Sequence, residues 1–191
     1  MSPILGILAS SKSTVAADTG AMFPLQVITV GPAGASSVTF TNIPSTYSHL
    51  QVRVLSRNNR SATTFNNIAF QINSDTGANY AAHLLRGDGS SVIAAADTSA
   101  SSIDFIVQPA SGATASVMGA FVLDVLDYVN TNKYKTFRGL LGVDNNGSGY
   151  AGLMSGLWQS TSAITSIAFY PSTSGSITQY SQFALYGILG A

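Results

Sequence analysis

The sequence contains no cysteine and no glutamate. Without cysteine there is no thiol nucleophile, zinc–thiolate site, disulfide or thiol redox switch. Glutamate and lysine are the usual fillers of exposed helix faces, so the absence of one and the scarcity of the other argue against surface helices. Charge is scarce altogether: 8% of residues carry it, and the net charge is zero. A nucleic-acid partner would call for a basic stripe, so none is expected. No apolar run approaches the roughly 20 residues of a membrane helix, so no membrane insertion is expected either.

Hydroxyls and small residues stand in their place. Of 191 residues, 44 are Ser or Thr and 18 are Gly. Thr favours strands, while Ser, Gly, Asn and Asp favour turns. A 191-residue chain can bury roughly 70% of its surface and needs no staples.

Short apolar runs alternate with turn residues from Leu25 onward. Leu25–Gly31 and Ser36–Asn42 read as strands, with Pro44 ending the second. In His49–Arg57, Leu50, Val52 and Val54 point one way and Gln51 and Arg53 the other, the signature of a half-buried strand. Asn67–Ser74 repeats it with Ile68, Phe70 and Ile72. Further strands are read at Asn79–Arg86, Ile103–Gln108, Val117–Tyr128, Lys135–Val143, Tyr150–Trp158, Ile164–Pro171 and Ser181–Leu189. Roughly ten strands at spacings of about 8–12 residues, with no helical period, predict an all-β fold. The expectation is a jelly-roll-like antiparallel β-sandwich over residues 25–191, with an extended N-terminal arm and linker over residues 1–24.

The arm is read from MSPILGILASSKS. No Lys or Arg precedes its apolar run and Lys12 follows it, which speaks against an export signal. The small polar stretch Ser10–Thr19 separates the run from the first strand. Ile4, Leu5, Ile7 and Leu8 are therefore expected to dock on a partner, by adding a strand to a sheet edge or by filling a groove.

Catalytic constellations do not emerge. The two histidines, His49 and His83, lie near no nucleophile elbow. Asp124 and Asp127 fall on opposite strand faces, whereas most glycosidases direct two carboxyls into one cleft. Asp144-Asn145-Asn146-Gly147 departs from the calcium-loop pattern and reads as a tight turn. Arg86-Gly87-Asp88 is a turn tripeptide to which no function is assigned. Asn59-Arg60-Ser61 and Asn146-Gly147-Ser148 are formal glycosylation sequons. No enzyme activity, cofactor or metal is expected. Tyr128, Tyr134, Tyr150, Trp158, Tyr170 and Tyr180 include rings near turns, where sugar recognition stacks a ring and bonds hydroxyls to amides. The candidate recognition loops are the hairpin tip holding Asn130 and Tyr134 and the turn holding Asn146 and Tyr150.

Four phrases carry a resemblance: SSVTFTNIPSTYSHLQVRVLSRN (Ser36–Asn58), VLDVLDYVNTNKYKTFRGLLGVD (Val122–Asp144), SGLWQSTSAITSIAFYP (Ser155–Pro171) and QFALYGI (Gln182–Ile188). They resemble a family of tailed-bacteriophage virion proteins described as tail, tail-fibre or other structural components. GILASS (Gly6–Ser11) is similar to N-terminal phrases in such proteins. The resemblance implies a non-enzymatic accessory structural protein, assembled in the host cytoplasm and located in the virion. Its implied partners are capsid or tail proteins and further copies of itself, a trimer among the options. A tail-fibre or spike role would add a host surface glycan. The alternatives are a capsid decoration protein and a secreted carbohydrate-binding module.

Overall fold

A computed structural model describes residues 22–190. Ile4, Leu5, Ile7 and Leu8 lie outside them. Twelve strands follow in order: β1 (Met22–Thr29), β2 (Val38–Phe40), β3 (His49–Ser56), β4 (Phe65–Ile72), β5 (Tyr80–Gly87), β6 (Val92–Ala100), β7 (Ile103–Pro109), β8 (Gly119–Leu126), β9 (Lys135–Asp144), β10 (Gly149–Trp158), β11 (Ile167–Pro171) and β12 (Gln182–Ile188). There is no helix among the described residues.

The strands form two antiparallel sheets packed as a sandwich. One has eight strands in the order β1-β12-β3-β8-β9-β10-β5-β6, and the other four in the order β2-β11-β4-β7. A jelly roll has eight strands in two Greek keys. The eight-and-four division meets the expectation at the level of the all-β sandwich. β1 begins at Met22, so residues 22–24, assigned to the linker from sequence, belong to the sheet.

Strand alternation sets the core. Leu50, Val52 and Val54 of β3 and Ile68, Phe70 and Ile72 of β4 are buried as their period predicts. Aromatic rings join the two sheets. Phe70 of β4 meets Phe137 of β9 edge to face at 5.3 Å. Phe169 of β11 packs against Phe121 of β8 and Phe183 of β12 at 5.9 and 5.6 Å. Such pairs contribute about 0.5–1.5 kcal/mol each beyond the area they bury.

β6 is absent from the sequence reading. Val-Ile-Ala-Ala-Ala-Asp-Thr-Ser-Ala has no apolar alternation, and the strand is almost wholly exposed. It lies at the edge and pairs only with β5, so no buried face constrains its composition.

Two charged side chains hold loops from inside. Arg57 donates to four backbone carbonyls, those of Ala110, Ala113, Thr114 and Val117, at 2.8–3.1 Å. Lys135, fully buried, donates to the carbonyls of Asn130, Lys133 and Thr161 at 2.7–3.1 Å. Burial pushes its ammonium below the usual lysine range, with nearby Lys133 adding to the shift.

Candidate functional site: an outer sheet face and two hairpin ends

The small sheet covers one face of the large sheet. The opposite face carries the features that most need an explanation. Cross-strand register arranges it in rows.

The middle row runs Ala184, Arg53, Val122, Leu140, Leu153, Leu85 across β12, β3, β8, β9, β10 and β5. Leu140 and Leu153 are 59% and 57% exposed. One step along the strands toward the β9–β10 turn lies a row of mostly smaller residues: Leu55, Ala120, Gly142 and Ala151. One step the other way, Tyr186, Gln51, Asp124, Arg138 and Ser155 form a polar row.

The polar row bonds to itself. Arg53 crosses the Tyr186 ring at 5.4 Å and donates Nε to Gln51 Oε1 at 2.8 Å. Gln51 Nε2 donates to Asp124 Oδ1 at 2.8 Å, and Arg138 Nε donates to Asp124 Oδ2 at 2.8 Å. Arg53 thus reaches toward the polar row while still lining the hollow beside Ala184 and Leu140.

The leucine ridge separates two hollows. One, of about 550 Å³, has Ala120, Gly142 and Ala184 on its floor and Leu55 and Leu140 at its rim. The other, of about 380 Å³, lies among Leu85, Val92, Ala151 and Leu153. Exposed apolar residues scattered singly are ordinary. A contiguous apolar field of several hundred Å² marks a surface that meets something. Sequence reasoning did not identify this face, although a signal was present. In Leu84-Leu85 and Leu140-Leu141, a period-two strand must turn one leucine of each pair outward.

The two loops singled out from sequence lie at opposite ends of β9. At one end Asp127, at φ 48°, offers its N–H to His49 Nδ1 at 2.9 Å and its carboxylate to Lys133. Lys133 holds that carboxylate below its usual range. Asn130 Oδ1 accepts the N–H of Asn132 at 2.8 Å, so its side chain serves the turn. Tyr134 is half exposed.

At the other end Asn146 and Gly147 both have positive φ, 54° and 103°, and the Asn145 N–H donates to the Ser148 carbonyl at 2.6 Å. That is the two-residue hairpin turn Asn-Gly favours, in line with the tight-turn reading. Tyr150 lies beside it with its edge against Phe65 at 5.1 Å and the Arg86 guanidinium 4.5 Å from its ring centroid. A hollow of about 540 Å³ adjoins this turn between Asp88 and Asp144. The N–H groups of Ser90 and Ser91 and the Ser90 hydroxyl bond to Asp88 and lower its pKa.

Of the other rings, Tyr180 is 73% exposed and Tyr170 is half-buried. Tyr128 and Trp158 are buried. Trp158 donates its indole N–H to Asp75 Oδ2 at 2.7 Å. His83 is exposed on β5 and pairs with Ser155 and Ala96. Among the described residues, no three His or Asp side chains come together as metal ligands would.

No protein-family model matches the chain, and no curated protein or solved structure is similar to it.

Proposed function

We propose that the chain is a non-enzymatic accessory structural protein of a tailed-phage virion, joined to the particle through its N-terminal segment. The observation that carries this reading is the broad outer face of the eight-stranded sheet. A broad face with Leu140 and Leu153 exposed at its centre, and with Asp124 and Arg138 paired beside them, suits contact with protein. The resembling phrases, which fall on β2–β3, β8–β9, β10–β11 and β12, add sequence support to this reading.

Within that class, a packing role at the capsid or tail is better supported than glycan recognition at the hairpin ends. Tyr150 gives its ring to Phe65 and Arg86, Asn130 gives its amide oxygen to its own turn, and the two loops stand at opposite ends. A host-attachment role in a tail fibre or spike is the rival reading, resting on the exposed rings of Tyr134 and Tyr180.

The test is to purify virions carrying the gene and count copies of the chain by quantitative mass spectrometry. A virion protein stays with the particles through a density gradient, in hundreds of copies for capsid decoration and in a few to a few tens for a tail position. Recovery only in the free protein of the lysate would overturn the reading.

A further inference from the structure

We infer that Asn146 is a site of spontaneous covalent modification: its side-chain amide is lost to attack by the backbone nitrogen of Gly147, and the β9–β10 turn sets the pace. The inference goes beyond the virion reading and stands or falls separately from it.

The chemistry needs an asparagine whose side chain is not held and a following residue that leaves its nitrogen accessible. The sequence has one Asn-Gly pair, and both residues are exposed. Among the described residues the Asn146 side chain makes no hydrogen bond, while its backbone N–H donates to Asp144 Oδ1 at 2.8 Å. Nothing lies within 4 Å of where a Gly147 side chain would begin, so the turn is open on that side. Glycine also gives the backbone the freedom to bring its nitrogen round.

Two other asparagines are held. Asn73 precedes the small Ser74, but its Oδ1 accepts the N–H groups of Thr165 and Ser166 and its Nδ2 donates to the Ala163 carbonyl, at 2.8–3.1 Å. Asn145 Oδ1 accepts the Thr114 N–H at 2.6 Å.

The step balances with water alone. The Gly147 nitrogen gives its proton to hydroxide and attacks Asn146 Cγ. The new C–N bond closes a five-membered imide, and the side-chain nitrogen takes up a proton and leaves as ammonia. Water then opens the ring at either carbonyl. One opening gives aspartate. The other gives isoaspartate, in which the main chain runs through the former side chain.

The fold governs the rate. Ring closure needs Asn146 Cβ and the Gly147 nitrogen nearly eclipsed about the Cα–C bond. At a φ of 54° the residue is left-handed, and the ψ of about 47° typical of that region sets the two atoms nearly opposite each other. Closure therefore waits for the turn to open. Isoaspartate lengthens the main chain by a methylene, so the two-residue turn that closes with Asn145 donating to Ser148 does not re-form.

The experiment incubates the full chain, folded and unfolded in urea, at about pH 6 and about pH 8. Ion exchange and peptide mapping follow the products, and protein isoaspartate methyltransferase labels the isoaspartyl form. The expected result is amide loss at Asn146 giving both aspartate and isoaspartate, with no comparable loss at Asn73 or Asn145 in the folded chain. The rate should rise up to about tenfold per pH unit, as the deprotonated fraction of the N–H does. It should be about 5–30-fold slower folded than in urea, the range that a modest cost of local opening gives. Asn146→Gly keeps a turn of the same type and should yield no acidic product there. An amide retained at Asn146 in the folded chain after the unfolded chain has converted overturns the inference. So do aspartate without isoaspartate, equal rates folded and unfolded, or an acidic product at this turn that persists in Asn146→Gly.

Discussion

Tyr134 and Tyr150 stand at opposite ends of the sandwich, with the whole of β9 between them. Ten residues of strand span about 33 Å, so no single small ligand touches both rings. Their surroundings also differ. Replacing Tyr150 with Ala removes a ring wedged between Phe65 and Arg86 and should lower stability by about 1–3 kcal/mol. Replacing the exposed Tyr134 should change it by less than about 0.5 kcal/mol. Urea unfolding of the two single variants, followed by far-UV circular dichroism, measures both.

Lys135 is a buried cation answered only by carbonyls. Lys135→Met keeps most of its stem and removes the three bonds to Asn130, Lys133 and Thr161. The carbonyls then lack their donor, and a loss of about 1–3 kcal/mol is expected, together with faster amide exchange in the loop between β8 and β9. Hydrogen exchange read by mass spectrometry separates this local loosening from a general loss of stability.

Acid should weaken the fold through Asp75. The indole N–H of Trp158, then the Asn79 amide and the Gly77 N–H, hold its pKa below 3.8. A carboxylate depressed in the folded state stabilises it above the unfolded value, and that contribution is lost as pH falls through the folded pKa. Asp88 and Asp127 act in the same direction. Urea midpoints measured between about pH 2.5 and 6 should therefore fall below about pH 4. Trp158→Phe removes the largest cause at Asp75 and should make that fall shallower, whatever it does to stability at pH 6.

Asp104 has the opposite sign. Burial, and then the nearby Asp97, raise its pKa. Its ionised form is a cost in the folded state, which appears as pH rises through the folded pKa. Asp104→Asn should therefore raise the melting temperature at pH 7, and the gain should shrink toward zero near pH 3, where the carboxyl is protonated folded or unfolded. An equal gain at both pH values would point to packing as the cause.

The strands most legible in the sequence are those with one wet and one dry face. Leu50-x-Val52-x-Val54 and Ile68-x-Phe70-x-Ile72 announce both their strand and their buried side. β6 does not, because an edge strand exposed on nearly all its residues has no pattern to enforce. The division into eight and four strands was hidden for another reason: β12 pairs with β1 and β3, partners more than a hundred residues away, and local composition does not encode such pairings. The turn at Asn146 was readable because Asn-Gly has its own backbone chemistry. The outer face was readable only in part. The leucine pairs show that one side chain must face out, but only the register shows that those side chains line up across neighbouring strands.

The place of β12 sets a timetable for the nascent chain. It fills the slot between β1 and β3, so the large sheet has a gap in it until Gln182–Ile188 has been made. From the end of β3 at Ser56 to the end of β12 at Ile188 is 188 − 56 = 132 residues. At about 5–20 residues per second, translation takes roughly 7–26 s to cover that distance. Throughout that interval two strands wait with bare hydrogen-bonding edges, and another nascent chain on the same message could lend its own β12. Ribosome spacing and the supply of chaperones therefore bear on the yield of this protein as directly as the quality of its core.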